Sequence, residues 1–223
     1  MIKKYVIACS KKWFINYQYQ FVSQKKFTVI TDKKKLNLKN LKKINPKYIF
    51  FPHWSFVVNK DIFSKYYCIG FHSSDLPYGR GGSPIQNQIL RKIQYTKITS
   101  IKINNSVDAG QWLYKSKLNL SGSIEEIFNR AAEIIKKQIV IIIKKKNKLK
   151  KQKGKVVKFK RLKPKDSEIK NNKKNIKEIY DQIRMLDSDE YPRAFIKSGK
   201  FKIEFSNPKY FRNKIISQAI IKK

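Results

Sequence analysis

The chain has 223 residues, 41% hydrophobic and 13% aromatic, and a formal net charge of +37. It is long and apolar enough for one ordinary domain with a small appendage, and too aromatic for a disordered chain. The charge would draw anions such as nucleotide diphosphates, polycarboxylates and RNA. Lysine is nevertheless spread along the whole chain beside abundant Ile, Asn, Tyr and Phe, so the first reading of the charge is compositional bias. Cys9 and Cys68 are too few for a disulfide framework or a zinc site and read as buried free thiols. Met1 to Ser10 lacks an h-region, and Ile134 to Ile143 is broken by Lys136, Lys137 and Gln138. No membrane span and a cytoplasmic location are expected.

In chain order, Tyr5 to Cys9 is an apolar run of strand length. Trp13 to Ser23 is ambiguous, with a helix as one reading. Phe27 to Ile30 predicts a second strand. Leu36, Leu38, Leu41 and Ile44 have helical spacing that Asn45-Pro46 ends. Tyr48 to Phe51 predicts a third strand, Asp61 to Lys65 a helical turn, and Tyr67 to Phe71 a fourth strand. Strands alternating with helices imply an α/β fold with a mostly parallel, Rossmann-like sheet. Pro84 to Lys92 predicts a helix with proline in its first turn. Thr96 to Ile103 and Gln111 to Leu118 predict strands. Ser123 with Glu126 makes a capping box for a long amphipathic helix. Lys144 to Lys155 reads as a solvated charge run and Asn171 to Lys174 as a linker. Ile176 to Leu186 predicts a helix, and Ala194 to Ile196 with Phe201 to Phe205 flank Ser198-Gly199-Lys200 as a β-hairpin. Nothing is read from the basic tail beyond Pro208. The expected organisation is a domain over 1–170 and a small helix and hairpin extension over 171–223.

The most informative run is Gly70-Phe71-His72-Ser73-Ser74-Asp75-Leu76-Pro77-Tyr78-Gly79-Arg80-Gly81-Gly82-Ser83-Pro84-Ile85-Gln86. A histidine at the carboxyl end of a strand stands where open α/β sheets place ligands. The glycine-rich turn after it lets backbone approach a substrate closely. Leu76-Pro77 and Arg80 to Gln86 closely resemble the signature of the folate-dependent formyltransferase family. Val107-Asp108-Ala109-Gly110 is similar to that family's Asp-x-Gly segment. Leu120 to Ser123, Ile183 to Leu186 and Tyr191 to Phe195 resemble later segments of the family.

The resemblance implies transfer of a formyl group from 10-formyltetrahydrofolate, a co-substrate, to an amine, without a metal. Such a reaction needs a donor for the developing oxyanion and a nearby base. The resemblance assigns these roles to His72 and Asp108. It places Trp54, Asp75, Tyr78, Arg80, Gly81, Gly82, Pro84 and Gln86 at the folate and substrate pocket. One departure stands out: the family's Asn, two residues before the histidine, is Gly70 here. His53, Ser73 and Ser74 are the candidate helpers by proximity in sequence, with a loop histidine bonded to backbone as the alternative for His53. Arg80 reads equally as an anion ligand or as a brace for its loop.

Three acceptors compete. A nucleotide-linked amino sugar of a surface polysaccharide fits the length and the hairpin, and is the favoured expectation. Methionyl-tRNA suits the charge, although the tRNA enzymes carry a larger carboxyl-terminal barrel than the residues after Lys174 supply. A non-catalytic anion- or RNA-binding protein on the same scaffold is the third reading, with Gly70 as its main support. A homodimer is implied by resemblance alone.

Overall fold

The computed structural model describes residues 4–146, 148–172 and 174–223. Met1 to Lys3 of the expected opening segment, Asn147 of the lysine run and Lys173 of the linker lie outside them. The chain opens with β1 (Tyr5–Cys9), α1 (Trp13–Tyr17), α2 (Tyr19–Val22), β2 (Phe27–Ile30), α3 (Leu38–Ile44) and β3 (Tyr48–His53). It continues through α4 (Lys60–Lys65), β4 (Cys68–His72), β5 (Tyr78–Gly81), α5 (Pro84–Leu90), β6 (Tyr95–Lys102) and β7 (Trp112–Asn119). The last elements are α6 (Ile124–Lys144), β8 (Val157–Phe159), α7 (Ile176–Arg184), β9 (Phe195–Ser198), β10 (Phe201–Tyr210) and β11 (Ile215–Lys222).

These elements fall into two compact units that interleave in sequence. One holds the chain up to Gly81, Thr96–Leu118 and Phe128–Lys158; the other holds Gly82–Tyr95, Asn119–Ile127 and Phe159–Lys223. The first unit is built on a six-stranded sheet in the order β2-β1-β3-β4-β6-β7. Its first four strands run parallel, and β6 pairs antiparallel to β4 with Thr99 opposite His72. The central strands are continuous apolar runs because both faces are covered, which is why periodicity alone reveals little about them. On one face Val6, Ala8, Ile49, Phe51 and Cys68 pack with Leu41 of α3 and Ile62 of α4. On the other, Trp13 stacks on Phe128 of α6 with ring centroids 5.0 Å apart. Each such buried large side chain contributes about 1.5–3 kcal/mol relative to leaving it in water.

Helix ends follow the sequence closely. Asn37 accepts the Asn40 N–H at the start of α3, and Asn45 closes it with φ of 48° before Pro46. The capping box of α6 forms in both directions: Ser123 N–H donates to Glu126 Oε2 at 2.8 Å, and Glu126 N–H donates to Ser123 Oγ at 3.2 Å.

The second unit packs α5 and α7 and carries the antiparallel sheet β11-β10-β9. The turn at Ser198-Gly199-Lys200 joins β9 to β10 as the sequence suggests, with Phe201 opposite Ser198. The tail is not featureless, however. β10 runs on to Tyr210 and pairs along β11, with Lys202 opposite Lys222 and Tyr210 opposite Ile215. Two further departures concern the central region. Part of the glycine-rich loop is strand β5, and the lysine run is anchored by reciprocal backbone bonds of 2.9 Å between Trp112 and Lys150. Among the described residues, no helix is long and apolar enough to cross a membrane.

Candidate active site

β4 carries His72 to its carboxyl end, and the loop after it folds back onto the imidazole. The residue is 8% exposed, with Nε2 2.7 Å from the Gly79 carbonyl oxygen. A carbonyl only accepts, so Nε2 carries a hydrogen and Nδ1 is the nitrogen left for chemistry. Nδ1 lies 3.5 Å from Asp108 Oδ2. That same carboxylate oxygen accepts the Gly81 N–H at 2.9 Å. The two residues that sequence reasoning singled out are therefore brought together, although they lie 36 positions apart in the chain.

Local backbone explains how. Asp108 has φ of 52°, in the left-handed region that Asp and Asn tolerate best. Two residues on, a Cβ at Gly110 would lie 1.7 Å from the Lys102 carbonyl oxygen, so only glycine fits where the turn presses on β6. Ser74 is fully buried, and its hydroxyl donates to the carbonyls of Tyr78 at 2.7 Å and Gly79 at 3.3 Å. Thr99 Oγ1 in turn donates to the Ser74 carbonyl at 2.6 Å. Ser74 thus shapes the loop that presents Gly79 to His72. Ser73 is half-buried.

Arg80 acts as a brace. Its Nε and one terminal nitrogen donate to Gln152 Oε1 at 3.1 and 2.7 Å. Asp75 is held by Lys97 at 2.8 Å and Lys115 at 2.6 Å. Burial alone would push the Asp75 carboxyl up, but the hydrogen bonds and charges of the two lysines together outweigh it and hold it below the usual carboxylate range. Asp75, Tyr78, Lys97 and Lys115 line an open groove of about 340 Å³ with Lys153 and Lys155. Trp54 packs edge-on to Phe51 and Phe56 in the loop after β3.

His53 does not join this group. Ile7 stands opposite Phe50, whereas Cys9 stands opposite His53, so β3 carries one extra residue against β1. That bulge reverses the alternation. His53 shares a face with Cys9 and Ile7, while Gly70 and His72 lie on the opposite face, which Phe51 shares. His53 Nδ1 accepts the Trp13 indole N–H at 3.2 Å, and the two rings meet edge to face. At Gly70 an added Cβ would meet only the side chains of Ile101 and Ile103, at 3.5–3.7 Å.

The remaining positions serve the second unit. A Cβ at Gly82 would come within 2.4 Å of Arg161 Cβ. Asn87 Nδ2 donates to the carbonyls of Gly82, Ser83 and Lys160 at 2.9–3.2 Å. Pro84 opens α5, and Gln86 is buried with its amide 3.5 Å from the Met185 carbonyl. Thr99, Gln152, Lys97 and Lys115 escape a sequence reading, because nothing local marks them. The one signal is that Gln152 interrupts a run of lysines. Among the described residues, no cluster of His, Cys, Asp or Glu could hold a metal ion.

The mostly parallel sheet thus carries a histidine and an aspartate paired at the carboxyl end of β4. Residues 164–222 match the family described as "Methionyl-tRNA formyltransferase, C-terminal domain". The methionyl-tRNA formyltransferase of Rickettsia prowazekii is 33% identical over 98 residues, 42% of this chain and 32% of that protein. The chain thus spans about a third of the length of the curated relatives it matches. The solved structure of methionyl-tRNA formyltransferase from Clostridium thermocellum is 43% identical over 99% of both chains, with a TM-score of 0.93. This chain belongs to the formyltransferase family. An N-formyltransferase from Helicobacter canadensis, solved with folinic acid and dTDP-3-aminofucose, is 19% identical over 98% of this chain and 100% of that one, with a TM-score of 0.63. That likeness is one of fold, so the favoured expectation of a nucleotide-sugar acceptor rests on fold alone, and the tRNA alternative is better supported.

Proposed function

We propose that this protein transfers the formyl group of 10-formyltetrahydrofolate to the amino group of methionine carried on transfer RNA. The observation that carries the reading is the full-length likeness, at 43% identity, to a methionyl-tRNA formyltransferase. The residues present fit a flat conjugated donor: beside Trp54, the loop after β3 leaves Phe56 44% and Val57 84% exposed. The folate carrier supplies an activated formyl carbon. The strongly basic chain suits the phosphodiester backbone of the acceptor.

The chain's own residues supply proton and charge management. Transfer to an amine builds negative charge on the formyl oxygen and leaves an extra proton on the attacking nitrogen. With Nε2 engaged by Gly79, a proton on His72 Nδ1 is the donor available to that oxygen. The 3.5 Å separation from Asp108 is wide for a hydrogen bond, so a proton on Nδ1 is not committed to the carboxylate and stays available to an incoming oxygen. Asp108, fixed by the Gly81 N–H, is the acceptor for the proton lost by the amine, and that proton is then available to the folate nitrogen as its bond to the formyl carbon breaks. Burial of His72 keeps water from competing for that donor.

Gly70 favours one other reading, a binding protein that has lost its chemistry. An assay of the purified protein with 10-formyltetrahydrofolate and either methionyl-tRNA or a panel of nucleotide-linked amino sugars separates the readings. Formylation of methionyl-tRNA is expected. Formylation of a nucleotide sugar alone would overturn the tRNA acceptor. A folate-dependent rise in Tm with no acceptor formylated would favour the binding protein.

A further inference from the structure

Gln152 lies in a segment whose composition suggests nothing but solvent, yet every donor and acceptor of its amide is used. Oε1 accepts both bonds from Arg80, and Nε2 donates to the carbonyls of Asp108 and Gly110, each at 2.8 Å. Asp108 holds a left-handed φ of 52°, a conformation that a non-glycine residue keeps only where its surroundings impose it. The two carbonyls gripped by Gln152 flank that strained turn. Arg80 and its neighbour Gly81 therefore reach Asp108 by two routes. Gly81 N–H binds the Asp108 carboxylate directly, and the Arg80 side chain reaches the Asp108 backbone through Gln152.

We propose that Gln152 is a positioning residue for the reaction: its amide clamps the backbone of Asp108 and Gly110 so that the carboxylate stays against His72 Nδ1. The inference rests on the pairing of His72 with Asp108 read above. It also gives Arg80 a task, that of holding Gln152 in the rotamer that presents both amide hydrogens.

Gln152→Glu is the discriminating variant. It has the same length and keeps an acceptor for Arg80, but offers no hydrogen to two carbonyls that can only accept. Its kcat for formyl transfer is expected to fall about 10- to 100-fold, with KM for either substrate little changed, as misplacement of a reacting group by a fraction of an ångström does. A second readout needs no substrate. The chain has two histidines, so protein labelled with 15N-histidine gives two imidazole spin systems, and His53→Gln assigns them. At pH 7 the His72 Nδ1 resonance in Gln152→Glu should move toward its position in Asp108→Asn. Gln152→Ala should do the same if the glutamate variant folds poorly, because the position is only half-buried and water can fill the gap. A Nδ1 resonance and kcat indistinguishable from wild type in both variants would overturn the proposal. If Asp108→Asn itself leaves the resonance unmoved, the His72–Asp108 pairing is wrong and the positioning role falls with it. If Asp108→Asn and the Gln152 variants move the resonance while the wild-type protein formylates no acceptor, the clamp stands and only the assigned reaction fails.

Discussion

Asp108 Oδ2 faces His72 Nδ1 at 3.5 Å while accepting the Gly81 N–H at 2.9 Å, so one carboxylate oxygen joins the histidine to the glycine-rich loop. The two side chains should therefore act as a unit. His72→Ala and Asp108→Asn are each expected to lower kcat about 100- to 1000-fold, the size seen when one oxyanion donor or one general base is removed. The double variant should cost little more than the worse single one, because each loss already breaks the pair. Steady-state formylation, with circular dichroism confirming the fold, measures this. Strictly multiplicative losses would mean that the residues work independently.

Glycines at two strand and turn positions should respond in opposite directions. Gly70 has room for a Cβ, which would sit in ordinary contact with Ile101 and Ile103. Gly70→Ala should raise stability by about 0.4–1 kcal/mol by restricting the unfolded chain. Gly110→Ala drives a Cβ into the Lys102 carbonyl, within the turn that carries Asp108. That variant should lose both stability and activity, and the contrast is read from paired thermal melts. A Gly110→Ala protein as stable and active as wild type would mean that the turn can move off β6 at little cost.

His53 teaches where a sequence stops being informative. From the run Tyr48 to His53, regular alternation puts His53 on the face of Phe51 and so beside His72. The bulge against β1 turns it the other way, onto Trp13. A bulge depends on how two strands register, which neither strand encodes by itself. We accordingly expect His53→Ala to cost Tm, through the lost indole hydrogen bond and edge-to-face contact, while kcat changes less than about threefold. A kcat loss as large as that of His72→Ala, with Tm intact, would return His53 to the reaction.

The same division runs through the rest of the chain. β1, β3, β4, α6 and the signature around Arg80 are legible because short-range patterns decide them: apolar runs, a capping box, a proline-opened helix. β11 is not, because Ile215-Ile216-Ser217-Gln218-Ala219-Ile220-Ile221 has no clean period of two and becomes a strand only along β10. Gln152 is hidden for the same reason. Its place follows from the pairing of Lys150 with Trp112, 38 positions earlier in the chain.

Glu204 makes the pH dependence of the second unit testable. It is buried on β10 and accepts from Lys202 at 2.7 Å and from Lys222 of β11 at 2.6 Å. The hydrogen bond from Lys202, then that from Lys222, holds its carboxyl below the ordinary glutamate value of 4.5, with burial opposing them. A depressed folded-state value favours the ionised form in the native protein. The stabilisation is therefore fully present above the ordinary value and is lost as pH falls through the depressed one. Both lysines are about half exposed, so water screens the pair and its contribution at pH 7 is only about 1 kcal/mol. Glu204→Gln should lower Tm modestly at pH 7, and the gap from wild type should narrow as pH falls below the ordinary glutamate value of 4.5. A gap that persists unchanged to pH 3 would show that packing of the side chain, and not its charge, ties β10 to β11.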